Sequence, residues 1–184
     1  MALLKLNELK KELKTLEQKE LIQLISDVYK VNKDVQHYLS SRFKGEEAIK
    51  DLYEKTKKIV ENEFFPNRGF AKMRLGVARD AISNFKKLSS DDGKTIDLML
   101  YYVETGTKFT NTYGDIEGKF YNSMVSMYNK VVNECNKSEE FYNIFKDRLY
   151  LIVSETDGIG WGYHDDICAI YYSLDWLEED EDDE

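Results

Sequence analysis

The chain has 184 residues, 42% of them hydrophobic and 13% aromatic, and this composition excludes an intrinsically disordered protein. Its formal net charge of −9 is misleading, because residues 178–184 are all acidic and the rest has 28 acidic against 26 basic residues. Such a balanced body lacks the strongly basic character of most nucleic-acid-binding domains, so a nucleic-acid partner is possible but not favoured.

The N-terminal residues lack the uninterrupted apolar core of a signal peptide. No apolar run approaches the roughly 18 residues that a membrane-spanning helix needs. The two cysteines, Cys135 and Cys168, lie within apolar helical patterns, which is typical of buried free thiols in a reducing compartment. The sequence therefore predicts a cytoplasmic protein without a membrane partner.

Apolar residues recur at helical spacing from the start of the chain. A first short helix ends near Leu13, and Thr15 with Gln18 predicts a capping box at the start of the second helix. A third helix is expected over residues 35–43. The fourth ends before Pro66, the only proline, because the residue that precedes a proline disfavours helical backbone.

The second half of the chain continues the same helical pattern. We expect helices over residues 96–109, from Phe120 to Cys135, after a capping Ser138, and from about Tyr163 to Trp176. No stretch alternates apolar and polar residues as a strand would. The sequence predicts an all-α protein of eight or nine helices, arranged as an irregular multi-helix bundle or a short α-solenoid-like array of antiparallel helices.

The expected domain organisation is simple. Residues 1–177 form a single all-helical domain, within which residues 1–45 could make a small N-terminal lobe. Residues 178–184 form a disordered acidic tail, because a dense block of like charges repels itself.

The segment 64–88, FFPNRGFAKMRLGVARDAISNFKKL, is notably basic. On a helix over residues 68–88, Arg68, Lys72 and Arg79 share one arc with Gly76. A mid-helix glycine costs roughly 1 kcal/mol relative to alanine, which indicates that something approaches the backbone at Gly76. Either this stripe pairs with carboxylates of neighbouring helices, or it binds an anion such as phosphate, a nucleotide or a nucleic-acid backbone through the planar arginine fork.

Two glycine-rich loops follow, at residues 109–118 and 157–166. Loops between rigid helices commonly carry binding residues. The first loop offers Tyr113 and Asp115, and the second offers Trp161, His164 and Asp165. Trp161 lies between two glycines and is either a stacking platform or, as we favour, a plug that closes the core.

The loops contain ligand types for a hard divalent metal, but their spacing matches no metal signature. His164 could act as a general base beside a carboxylate, or simply belong to a helix N-terminus. No nucleotide-binding loop, zinc-protease motif or nucleophile elbow occurs. We therefore expect no catalytic residue, bound metal or cofactor, and we favour a protein that is not an enzyme.

Five motifs together resemble a family of small, uncharacterised bacterial proteins classed as a domain of unknown function. They are FFPxRG at 64–69, ARxAISxFKKL at 78–88, FTNTYGDI at 109–116, YNSM at 121–124 and GWGYHD at 160–165. The resemblance covers about residues 3–175. It implies a bacterial or phage-related cytoplasmic protein, supplies no activity or site residue, and suggests that these segments share one site.

The favoured hypothesis is a helical binding module with an anion-binding groove for phosphate, a nucleotide or an acidic partner. The sequence does not identify the partner, which could be an anionic small molecule or a protein. Arg68, Lys72 and Arg79 would hold the anion, and Tyr113, Trp161 and His164 would shape its walls. One alternative is a protein-interaction adaptor without a small-molecule site. Another is a metal-dependent hydrolase that uses Asp115, His164 and Asp165. The full set of candidate binding residues is Arg68, Lys72, Arg79, Tyr113, Asp115, Trp161, His164 and Asp165.

Overall fold

The structure is a computed structural model that describes residues 3–177, and over that range the chain forms helices and no strands. This confirms the all-α prediction. The nine helices of this range are α1 (Leu6–Leu13), α2 (Gln18–Val31), α3 (Lys33–Lys44), α4 (Glu46–Phe64), α5 (Leu75–Ser89), α6 (Asp92–Tyr113), α7 (Gly118–Asn136), α8 (Glu139–Glu155) and α9 (Tyr163–Tyr171).

The chain divides into two compact units, one up to Ala48 and one from Ile49 onward. The organisation predicted for residues 1–177, with a lobe over 1–45, stays a prediction. The acidic tail predicted over 178–184 lies outside the described residues. None of the helices within residues 3–177 combines the length and the apolarity needed to cross a bilayer.

The N-terminal unit contains α1, α2 and α3, and α2 contacts α3. The predicted capping box at Thr15 is wrong, because the Thr15 hydroxyl donates to the Glu12 carbonyl instead. Glu17 is the residue that caps α2, and its backbone N–H donates to the Glu20 carboxylate at 2.8 Å. The cap of α2 is therefore a carboxylate, whereas the sequence predicted a hydroxyl.

The second unit is built around α6, which has buried side chains over most of its circumference and contacts α5, α7 and α8. An apolar helix of this kind forms the centre of a bundle, whereas its amphipathic neighbours present one polar face to water. Asp91 begins α6 by accepting a hydrogen bond from the Lys94 backbone N–H, and Ser138 begins α8 by accepting one from Phe141. These capping residues explain why the predicted stops after α5 and α7 fall where they do.

Gly106 lies at a tightly packed contact between α6 and α7. A Cβ at this position would collide with Sδ of Met124 and lie 3.2 Å from its Cε, and Met124 is fully buried. We expect Gly106→Ala to destabilise the protein by about 1–2 kcal/mol in urea unfolding. Overpacking a core costs about 1–3 kcal/mol, and the better helix propensity of alanine offsets only part of that cost.

The matched control is Gly76→Ala in the first turn of α5. A Cβ there meets nothing within 4 Å, so only the change in helix propensity remains and stability should rise by up to about 1 kcal/mol. Equal effects of the two substitutions would contradict the close α6–α7 contact.

Both cysteines are free thiols. Cys135 is buried as predicted, and its burial raises the pKa of the thiol to about 11, with a smaller contribution from the Glu134 carboxylate. Cys168 is only half-buried. The prediction of two buried thiols is therefore right for Cys135 and too strong for Cys168.

Candidate functional site

The basic segment is organised differently from the predicted helix over 68–88. Helix α4 ends at Phe64 and α5 begins only at Leu75, so residues 65–74 form an irregular loop, which we call the basic loop. Gly69 adopts φ +80°, a left-handed conformation that glycine tolerates without strain. Arg68 and Lys72 therefore lie on a loop, and the continuous stripe with Arg79 is wrong.

The approach that the sequence predicts at Gly76 does not come from another part of the described chain. This glycine lies in the first turn of α5, is exposed, and has open space where a Cβ would be. A ligand at this position stays a prediction.

Glu63 anchors the basic loop from the last turn of α4. Its buried carboxylate accepts hydrogen bonds from the Arg74 guanidinium at 2.6 and 3.1 Å and from the Arg74 backbone N–H at 3.1 Å. The Glu63 carbonyl accepts a further bond from the Met73 N–H at 3.0 Å. The hydrogen bonds from Arg74 hold the pKa of Glu63 below its usual range, although burial opposes them. These bonds fix the end of the loop.

An open groove of about 630 Å³ runs along this anchored loop. Arg68 and Lys72 are exposed and form no ion pair within the described residues, unlike Arg74, which is held by Glu63. The amide side chains of Asn62 and Asn67 add hydrogen-bond donors and acceptors. The groove is lined by Ile59, Asn62, Glu63, Pro66, Asn67, Arg68, Lys72, Arg74 and Val77. It brings together two of the three predicted cations, Arg68 and Lys72.

Arg79 is not among the residues that line this groove. Its guanidinium donates to Ser123 Oγ on α7 at 3.3 Å, and that oxygen lies 2.8 Å from the buried hydroxyl of Tyr102. Burial raises the pKa of Tyr102, while Ser123 and the Arg79 charge oppose the increase. Arg79 therefore contacts a helix-packing network and is separated from the other two predicted cations.

The two predicted glycine-rich loops are shorter than expected, because α6 continues to Tyr113 and α9 begins at Tyr163. The first loop covers residues 114–117 and the second covers residues 156–162, and the two lie close together. A Cβ on Gly160 would lie 3.0 Å from the Asp115 carboxylate, and one on Gly118 would lie 3.4 Å from the Trp161 ring. Gly160 thus allows a close approach that a larger residue would crowd, whereas a Cβ on Gly118 would make an ordinary van der Waals contact. Trp161 itself has a left-handed backbone (φ +63°) and remains 65% exposed, so the favoured interpretation as a buried plug is wrong.

Tyr121 holds the first loop in place, a role that the sequence did not reveal. Its hydroxyl donates to Asp115 at 3.0 Å, accepts from the Ile116 N–H at 3.1 Å and lies 2.7 Å from the Thr110 hydroxyl. Its ring packs on Tyr163, with centroids 5.1 Å apart. Asp115 is therefore engaged in the support of its own loop.

His164 lies in the first turn of α9 and contacts its own surroundings. Its Nδ1 is 2.9 Å from the Thr156 hydroxyl, which donates to the Val153 carbonyl, and its Nε2 is 3.4 Å from Cys168 Sγ. Asp165 is exposed on the same turn. Across residues 3–177 no three His, Cys, Asp or Glu side chains are grouped to hold a metal ion, so Asp115, His164 and Asp165 do not form the centre that a metal hydrolase would need.

Tyr113 connects α6 with the basic loop. Its ring lies 4.8 Å from that of Phe109 and 6.2 Å from that of Phe65, measured between centroids. Together with Phe70 these residues border a second cavity of about 400 Å³. The structure thus brings Tyr113 near the loop that carries Arg68 and Lys72, and brings Asp115 near Trp161.

Residues that the sequence analysis did not select complete the site. Glu63 and Arg74 looked like ordinary helix charges, because nothing in their spacing reveals that one carboxylate is buried. The sequence gives one signal for Phe70, which is that it is an isolated aromatic residue in a polar, glycine-containing segment.

Comparison with known protein families matches residues 4–175 to one model, described as "Family of unknown function (DUF6155)". Neither the curated proteins nor the solved structures contain a match to this chain. The match agrees with the motif resemblance and adds no activity, ligand or site residue.

Proposed function

Because the chain belongs to this family of unknown function, which supplies no activity, we propose from the geometry that the protein is a helical binding module whose groove along the basic loop takes a small anion. The anion would be phosphate or a molecule that carries phosphate, and the setting would be the cytoplasm, as the sequence predicts. One observation carries the proposal: Arg68 and Lys72, unpaired within the described residues, line one groove on a loop that Glu63 anchors.

Two physical features support an anion here. The anchored loop presents its cations without a large cost in conformational entropy on binding. The Glu63 carboxylate is already engaged by Arg74, so it competes less for a bound anion than a free carboxylate would. Arginine and asparagine also offer directional donors that suit the tetrahedral oxygens of phosphate.

The test is isothermal titration of the full chain with inorganic phosphate at low salt. We expect Arg68→Ala and Lys72→Ala each to weaken binding by about tenfold, because a hydrogen bond to a charged group contributes about 1.5–3 kcal/mol. Lys130→Ala, an exposed lysine of α7 outside the groove, is the matched control and should leave the affinity unchanged.

Arg79→Ala distinguishes the groove from the originally predicted stripe. Arg79 lies outside the groove lining, so its removal should have less effect than removal of Arg68. Phosphate binding that depends on Arg79 and ignores Arg68 would move the site to the flank of α5, and an absence of binding would refute the proposal.

A protein-interaction adaptor is the second candidate, and one observation favours it. Within residues 3–48 the only buried side chain is Ser41, and large apolar side chains remain exposed on α2 and α3. Monomeric proteins seldom expose so much apolar surface without an interaction role. An adaptor without a small-molecule site predicts no heat of phosphate binding, so the same titration separates the two candidates. The exposed apolar residues include Leu3, Leu4, Leu6, Ile22, Ile25, Val31 and Phe43.

A further inference from the structure

The basic loop has a different surface on each of its two sides. Arg68 lines the cationic groove, whereas Gly69 and Phe70, the next two residues, line the apolar cavity. The left-handed turn at Gly69 separates the two side chains. Pro66 lines both cavities, which shows that they adjoin at the start of the loop.

The apolar cavity is bordered by aromatic rings. Phe70 is 95% exposed and Tyr113 is 66% exposed, although both are large side chains that usually gain from burial. Tyr113 is held by contact with Phe109 and Phe65, whose own ring centroids are 5.6 Å apart. A ring fixed in this way can stack on a planar ligand at little cost in side-chain entropy.

We infer that the two cavities together take a nucleotide, with its phosphate at Arg68 and Lys72 and its base against Phe70 and Tyr113; this inference rests on the proposed anion-binding function. A nucleotide joins an anion to a planar aromatic base through a sugar, which matches a cationic groove that adjoins an aromatic cavity. Base–aromatic stacking tolerates any base, so the geometry selects the class and not one member of it.

The charge balance of the chain favours a mononucleotide over a polymer. Outside residues 178–184 the chain has 28 acidic against 26 basic residues, so a long polyanion would meet no excess of cations beyond the groove. One phosphate monoester requires only the local cations that the basic loop supplies.

The experiment compares AMP with ribose 5-phosphate, which carries the same type of phosphate and sugar without the base. We expect the full chain to bind AMP about tenfold more tightly, a factor that corresponds to 1.4 kcal/mol. Phe70→Ala should lower the AMP affinity toward that of ribose 5-phosphate and leave ribose 5-phosphate binding unchanged. Phe70→Trp, which keeps a ring, should restore AMP binding.

Tyr172→Ala is the matched control, because Tyr172 is a largely exposed aromatic residue, similar in exposure to Tyr113, and is remote in sequence from the basic loop. Its AMP affinity should equal that of the unmodified chain. Since Phe70 is almost fully exposed, its removal should leave the thermal unfolding midpoint unchanged, and circular dichroism checks this directly.

The possible failures are distinguishable. Equal affinity for AMP and ribose 5-phosphate, both dependent on Arg68, would overturn the nucleotide inference and leave the proposed function standing. Binding of AMP that ignores Phe70 and Tyr113 would overturn the inference as well. Absence of binding by AMP, ribose 5-phosphate and inorganic phosphate would refute the proposed function and the inference together.

Discussion

Replacement of Arg148 by methionine is expected to lower the free energy of unfolding by about 3 kcal/mol. Arg148 lies on α8, and its guanidinium donates two bonds to Glu104 of α6 at 2.7 and 2.8 Å and another to Asp97 on the same helix. The Tyr53 hydroxyl of α4 donates to the other oxygen of Asp97. The bonds of Arg148 therefore connect α8 to α6, and the bond between Tyr53 and Asp97 connects α6 to α4.

The cost comes from the charges that the substitution leaves behind. Asp97 and Glu104 are three-quarters buried, so without Arg148 two carboxylates would face each other in a poorly solvated site. Breaking a buried ion pair costs about 3–5 kcal/mol, and we take the lower end because Arg148 remains one-third exposed. Burial opposes the charge of Arg148, but its bonds to Glu104 and Asp97 outweigh that effect and raise its pKa.

Thermal and urea unfolding test this prediction. A loss of 3 kcal/mol should lower the melting temperature by about 6–12 °C for a chain of this size. Arg148→Lys keeps the positive charge but cannot form the paired hydrogen bonds to Glu104, so it should lower the free energy of unfolding by less than Arg148→Met does. Lys137→Met, which removes an exposed i,i+3 pair with Glu134, is the control and should change stability by less than about 0.5 kcal/mol.

A triple variant isolates the cause of the loss. Combining Arg148→Met with Asp97→Asn and Glu104→Gln removes the unbalanced charges and should recover most of the lost stability. If the triple variant is as unstable as Arg148→Met alone, lost packing and not uncompensated charge is responsible.

Helix positions could be predicted from the sequence where local chemistry decides them. Pro66 ends α4 because it cannot continue the backbone pattern, and Ser138 begins α8 through its own hydroxyl. The Asp91 carboxylate has the same capping role for α6. Each signal acts within a few residues, so the sequence contains the whole cause.

The basic loop could not be predicted in this way, because a tertiary contact overrides its local preference. Residues 70–74 have acceptable helix propensity, yet the Met73 and Arg74 N–H groups donate to Glu63 instead of to a preceding turn. Helix propensity is a weak preference that a buried hydrogen-bonded carboxylate outweighs. Periodicity therefore placed Arg68 and Lys72 on a helix with Arg79, whereas the structure places them in a separate groove.

The candidate site could likewise be predicted only in part. The composition of residues 109–118 and 157–166 indicated that both segments carry site residues, and the structure does bring Asp115 close to Gly160. The partners that fix these residues are Tyr121 on α7 and Thr156, which follows the last residue of α8. Contacts between distant segments are invisible to spacing arguments.

Arg74→Met is expected to have a large effect that depends on pH. Arg74 is itself 55% exposed, but the Glu63 side chain that it neutralises is only 4% exposed. The substitution leaves a buried carboxylate with one backbone N–H as its remaining hydrogen-bond donor, so at pH 7 we expect a loss of stability clearly larger than that caused by Arg68→Met. Glu63→Gln removes the buried charge and with it the need for a cationic partner. It should therefore lower the free energy of unfolding by less than Arg74→Met does.

The sign of the pH dependence follows from the pKa of Glu63, which the Arg74 hydrogen bonds hold below the ordinary value of about 4.5. When the pKa of a carboxyl group is lower in the folded chain than in the unfolded chain, the group stabilises the fold at pH values above its pKa in the unfolded chain. The contribution disappears as the pH falls through the lowered pKa. The gap in stability between the unmodified chain and Arg74→Met should therefore be largest near pH 7 and shrink below about pH 4.5.

Urea unfolding at pH 7 and at several values below pH 4.5 measures this gap. Arg68→Met is the matched control, since Arg68 lies on the same loop and forms no ion pair within residues 3–177, so its stability should follow that of the unmodified chain at every pH. A gap for Arg74→Met that stays constant from neutral to acidic pH would show that the guanidinium acts through packing alone. A gap that closes at low pH would identify the Glu63 charge as the element that holds the basic loop, because only protonation of that carboxylate removes the need for Arg74.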